Sequence, residues 1–151
     1  YIKSEKEKNS GIVTGNDVIV HPSAVVEEGA VLGPSVVIGA DCKIAAGTKI
    51  SNSTILPGTK VHANSYIDGS IIGWKNTIGK WVRITGLTCT AEDVQIKDCT
   101  MLDGVKILPH KGVNGEHKNS IIIDEDSNYT NLYHNFMTVF GVLGFWGFGV
   151  L

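Results

Sequence analysis

Five histidines, His21, His62, His110, His117 and His134, are the side chains of this sequence best able to do chemistry near neutral pH. One oriented imidazole could serve as general base in an acyl transfer, and three converging ones could hold zinc. Their spacing argues against the metal. His21, His62 and His110 lie 41 and 48 residues apart, and neither interval is a multiple of the roughly 18-residue coil derived below. They are expected as isolated surface groups, with His62 the candidate base if acyl transfer is the chemistry. Cys42, Cys89 and Cys99 have neither the paired spacing of a zinc site nor an even count, so they are expected to be reduced. Phosphate chemistry is no better supported. One residue too many separates Gly73 from Gly79-Lys80 for a P-loop, and Trp81 stands where Ser or Thr is needed. No catalytic, cofactor-binding or metal-ligating residue is therefore expected in this chain, and no cofactor.

The residues that stand out are of the contact-making kind. Trp74 and Trp81 follow aliphatic residues by two and three places, which should turn them outward, and Arg83 is nearby. Aromatic and Arg side chains on an outer face anchor interfaces, although shelf packing along the same face would use them as well. His110 and Lys111, after Pro109, complete the candidate interface set, a solvated turn being the other reading.

These residues depend on a repeat for their placement. Aliphatic residues fall at Val20, Val26, Leu32, Ile38, Ile44 and Ile50, every sixth position. The fourth residue after each is small or β-branched: Ala24, Ala30, Val36, Cys42, Thr48 and Thr54. A period of six suits neither a helix nor a long strand, but it suits a short strand with two inward residues and then a tight corner. Three such strands close one triangular coil. Each coil buries its aliphatic corner only when another stacks on it, so the expected fold is all-β, a parallel β-helix of hexapeptide repeats. The register slips after Ile50 to Ile55, Val61 and Ile67, slips again to Ile72, Ile78 and Ile84, and runs on through Thr90, Ile96, Leu102 and Leu108. Val94 and Thr100 hold small positions there, while Thr90 and Lys106 are weaker matches. Pro109 cannot donate to a ladder and is read as a terminator.

Three segments follow from this pattern. Residues 1–17 read as the end of a helix and a linker, 18–123 as the β-helix, and 124–151 as a tail of another kind. Residues 136–151 carry no charge and no period of six, and 16 residues fall short of the roughly 20 that a spanning helix needs. A cap on the last coil, or a sequence foreign to the mature protein, would account for them. The net charge of −2 and the lack of clustered Lys and Arg argue against a nucleic-acid surface. Residues 1–10 are charged and lack the apolar core of a signal peptide, so a cytoplasmic protein without membrane contact is expected.

Ser70-Ile71-Ile72-Gly73-Trp74, Ile78-Gly79-Lys80-Trp81-Val82-Arg83 and Ile107-Leu108-Pro109-His110-Lys111, in that order, are more specific than the hexads. They resemble the C-terminal end of eukaryotic mannose-1-phosphate guanylyltransferase, its catalytic beta-type subunit in particular. The resemblance runs to about Ile123, loosely over residues 89–103, and implies that the β-helix is left-handed. It also implies a family that transfers GMP from GTP to mannose 1-phosphate, assisted by Mg2+, in a Rossmann-like domain whose catalytic residues have no counterpart here. The implied role is assembly and regulatory contact with that nucleotidyltransferase domain or a sister subunit, in a homo- or hetero-oligomer. Two other classes are expected to compete: a hexapeptide acyltransferase with His62 as base, and a non-catalytic pyrophosphorylase-like scaffold.

Overall fold

The computed structural model describes residues 12–13 and 17–123, and within them the chain is a β-solenoid of about six turns with no helix. The helix end expected before residue 12 and the tail from 124 lie outside the described residues.

Each turn lays one short strand on each of three parallel sheets. Face A is built from β1 (Ile12–Val13), β4 (Val31–Leu32), β7 (Lys49–Ser51), β10 (Tyr66–Asp68), β13 (Arg83–Thr85), β16 (Met101–Asp103) and β19 (Glu116–Lys118). Face B is built from β2 (Val18–Val20), β5 (Val36–Ile38), β8 (Thr54–Ile55), β11 (Ile71–Ile72), β14 (Cys89–Thr90), β17 (Lys106–Ile107) and β20 (Ile121–Ile122). Face C holds β3 (Val25–Val26), β6 (Lys43–Ile44), β9 (Lys60–Val61), β12 (Thr77–Ile78), β15 (Gln95–Ile96) and β18 (Gly112–Val113). The ladder bonds run from coil to coil, as in Gly33 N–H to the Ile50 carbonyl at 2.9 Å. Inside, Ile50, Ile67 and Ile84 stack in register on face A, and Ile55 and Ile72 on face B, all fully buried. Burial of these aliphatic corners is the main stabilising term.

The shortened steps occupy one corner. Ile50 to Ile55 and Ile67 to Ile72 both turn from face A to face B, through Asn52-Ser53 and Gly69-Ser70. Serine closes these turns: Ser53 Oγ donates to the Ser51 carbonyl at 2.6 Å, and Ser70 Oγ to the Asp68 carbonyl at 2.9 Å. Ser53 therefore holds the small inward position, and Thr54, expected there, stands on the outer side of β8.

A third short step corrects the expected register. The inward residue after Leu102 is Ile107, which is buried, whereas Leu108 is exposed. The physical reason is Lys106: an unbroken period of six would point its ammonium into the core, and the slip turns it outward behind Val105. Pro109 is not a terminator. It occupies a corner, like Pro57, where no ladder donor is required, and the solenoid continues through β18, β19 and β20.

Thr90, the weak aliphatic match, has a buried polar partner. Asn76, one coil below and fully buried, donates through Nδ2 to Thr90 Oγ1 and accepts the Val94 N–H through Oδ1 at 2.7 Å. Thr90 Oγ1 also accepts the Gly73 N–H at 3.0 Å. An aliphatic residue at 90 would leave the buried Asn76 Nδ2 without its acceptor.

Candidate interaction surface

Three edges and three faces carry everything exposed. Trp74 lies on the B–C edge, directly after β11, and is 51% exposed. Gly73 fixes its approach, because a Cβ at 73 would run into the Ala91 carbonyl oxygen of the next coil. The same edge carries His110: the Asp93 N–H donates to the Trp74 carbonyl at 2.9 Å, and the His110 N–H to the Glu92 carbonyl at 3.0 Å. Side chains repeat the pairing, with Lys75 Nζ 3.5 Å from Glu92 and His110 Nδ1 2.9 Å from Asp93. All four are well exposed, so these contacts contribute little to stability and mainly set orientation. Lys111 follows as a half-buried residue at the corner position that Asn76 and Val94 take in the coils below.

Trp81 and Arg83 are elsewhere. Trp81 sits on the C–A edge, 66% exposed, with a left-handed backbone (φ 57°). Arg83 opens β13 on face A. The five sequence-predicted contact residues therefore fall into two groups on different edges, Trp74, His110 and Lys111 on one, Trp81 and Arg83 near the other.

The second group has neighbours that reading along the sequence did not single out. Tyr66 is in register with Lys49 on one side and Arg83 on the other. Lys49 Nζ stands 5.9 Å and Arg83 Cζ 5.7 Å from the Tyr66 ring centroid, within cation–π range. On face C, Lys43 and Lys60 are in register. A signal for them did exist: 43 to 60, 49 to 66 and 66 to 83 are each 17 residues, one coil with a short A–B corner. Face B is aliphatic by contrast, with Ile19 and Ile71 outward.

The histidines do not converge. His62 is exposed beside the C–A edge, and among the described residues no carboxylate or carbonyl orients its ring as the partner of an activated base would. His21 Nδ1 pairs with Ser23 Oγ at 2.9 Å inside its own turn. His117 takes the inward corner above Leu102, with Nε2 2.7 Å from the Asn114 carbonyl and Nδ1 buried without a partner among the described residues. Burial pushes the Cys42 thiol pKa up, which makes it an inert core residue.

Comparison with known proteins agrees with this architecture. A protein-family model described as the GMPPB C-terminal domain matches residues 14–123. The mannose-1-phosphate guanylyltransferase catalytic subunit beta of Drosophila melanogaster is 49% identical over 118 residues, 75% of this chain and 32% of that protein. The mannose-1-phosphate guanyltransferase of Debaryomyces hansenii is 44% identical over 123 residues, 80% of this chain and 34% of the relative. The chain thus spans about a third of the length of these curated relatives. Among solved structures, a variant of the GDP-perosamine N-acetyl transferase of Caulobacter crescentus, in complex with CoA and GDP-perosamine, has a TM-score of 0.65 at 18% identity. It covers 76% of this chain and 52% of its own, a likeness of fold alone. With the family model laid over nearly every coil of the solenoid, the chain belongs to the GMPPB C-terminal domain family.

Proposed function

We propose that this chain is the C-terminal β-helix portion of a cytoplasmic mannose-1-phosphate guanylyltransferase, and that it makes assembly and regulatory contacts for it. The observation that carries this reading is the match over residues 14–123 to a C-terminal domain, with catalytic-subunit relatives of which it is one third. The reaction itself joins the phosphate of mannose 1-phosphate to the α-phosphorus of GTP and releases pyrophosphate. It belongs to a nucleotidyltransferase domain beyond the solenoid. The described residues bring no three Asp, Glu, His or Cys side chains together, so they do not fit the Mg2+ of that reaction and no step is routed through them. Trp74 and His110 on one edge, with Lys111 beside them, and Trp81 and Arg83 at the other, are the contact residues for the nucleotidyltransferase domain or a sister subunit.

Two measurements test the reading. Incubated with GTP, mannose 1-phosphate and Mg2+, residues 1–151 should form no GDP-mannose; formation by this chain alone overturns the division of labour. Attached to, or mixed with, the nucleotidyltransferase part of a relative, the chain should co-elute with it, and Trp74→Ala or Trp81→Ala should weaken that association. Co-elution unchanged in both variants removes these residues from the interface.

A further inference from the structure

Charge is segregated along the solenoid in a way that the net value of −2 conceals. The chain holds 13 Lys and Arg against 15 Asp and Glu, yet residues 42–91 contain six of the basic residues and a single acid, Asp68. Asp68 is engaged at the A–B corner, accepting from Ser51 Oγ at 2.8 Å and Asn52 Nδ2 at 3.1 Å. Of the six cations, Lys75 pairs with Glu92 on the B–C edge. The other five, Lys43, Lys49, Lys60, Lys80 and Arg83, make no ion pair with a described residue. All five lie on face A, face C or the edge between them, and that edge carries Trp81 at its crest and Tyr66 beside it.

We infer that the C–A edge of the central coils is a docking surface for the acidic face of a partner protein, Trp81 being the anchor and these five cations the surrounding charge. Charge complementarity names the partner: cations around an exposed Trp fit carboxylates around an apolar slot. Nucleic acid fits less well. The basic stripe covers about three coils, on the order of 15 Å at strand spacing. Beyond it lie Glu27 and Glu28 on the same edge in one direction; in the other lie Asp98, next to Lys97 and accepting the Lys80 N–H at 2.7 Å, and Glu116 at the start of β19 on face A. A phosphate backbone running on would meet these acids, whereas a compact acidic protein face would not. The inference deepens the contact role proposed above and rests on it only for Trp81 and Arg83. The identity of the reaction does not enter.

The test is a fluorescence-anisotropy titration of the full chain with a labelled peptide of about twelve residues, Glu and Asp flanking a central Leu-Leu pair, and separately with a thymidine oligonucleotide of similar length. The peptide should bind saturably, and more weakly as salt rises from about 50 to about 200 mM. Lys49→Glu with Arg83→Glu should lower its affinity about tenfold or more, and Lys106→Glu on face B less than about twofold. Trp81→Ala, which adds no charge, should lower it about threefold and serves if the double variant does not fold. Absence of saturable peptide binding, equal loss in Lys106→Glu, or tighter binding of the oligonucleotide each overturns the inference. None of these readouts involves GTP or mannose 1-phosphate, so this inference can fail while the proposed function stands.

Discussion

Trp81 is held at a left-handed φ of 57°, at a corner whose stacked equivalents include Gly47 and Asn64. For a bulky residue that conformation costs roughly 1 kcal/mol, which glycine does not incur and asparagine largely avoids. An exposed Trp gives no packing return for that strain, which is why it reads as a contact residue. Trp81→Asn should therefore leave the midpoint of urea unfolding unchanged or raise stability by up to about 1 kcal/mol, while weakening partner association. A clear loss of stability would place Trp81 in the packing instead. The cysteines make a second residue-level case. Cys42 is buried with its thiol pKa raised by desolvation, and Cys99 is exposed. Iodoacetamide on the native protein should modify Cys99 and leave Cys42 untouched until denaturant is added.

At the level of elements, corner length is free and face length is not. Leu87 shows this: Gly86-Leu87-Thr88 is the full-length A–B corner between short ones at Gly69-Ser70 and Gly104-Val105, and its extra residue projects 78% exposed. Deleting Leu87 should shorten that corner to match its neighbours and keep the β-type circular dichroism, with melting within about 5 °C of the parent. Deleting Gln95 from β15 instead moves Ile96 off the inward position and should unfold the C-terminal coils. The same rule separates what could be read in the sequence from what could not. A period of six survives wherever aliphatic side chains must point inward, and two slips were visible: Gly73 follows Ile72 in the old frame, and although Leu56 follows Ile55, its frame runs on to His62 and Asp68 while that of Ile55 runs on to Val61 and Ile67. The third was hidden, since Leu108 follows Ile107 and satisfies the six-residue frame as well as the true inward residue does. The charge of Lys106 distinguished the two, as did the next coil, where Ile107 leads by six to the buried Val113 and Leu108 to Asn114.

For the whole molecule, stacking turns residues remote in sequence into neighbours, and the contact surface was poorly legible for that reason. Lys49, Tyr66 and Arg83 look unrelated until the coil length is set at 17 by the short corner. The same one-dimensional stacking decides how the solenoid fails. An inner coil is supported on two sides and an end coil on one, so stability is a sum of nearest-neighbour interfaces. Ile67 is fully buried between Ile50 and Ile84, whereas Ile122 in β20 packs on Ile107 at the last described coil. Ile67→Ala should cost about 3–4 kcal/mol and uncouple the coils on either side of it, giving a broadened urea transition with a lower m-value. Ile122→Ala should cost nearer 1–2 kcal/mol and fray only the last turn. Amide exchange distinguishes the two outcomes by place: protection falls across β7, β10 and β13 in the first variant and over β17 and β20 in the second. Equal cost and a single sharp transition in both would mean that the last described turn is covered as fully as the middle, which would place a packed partner, or the remainder of the chain, against β20.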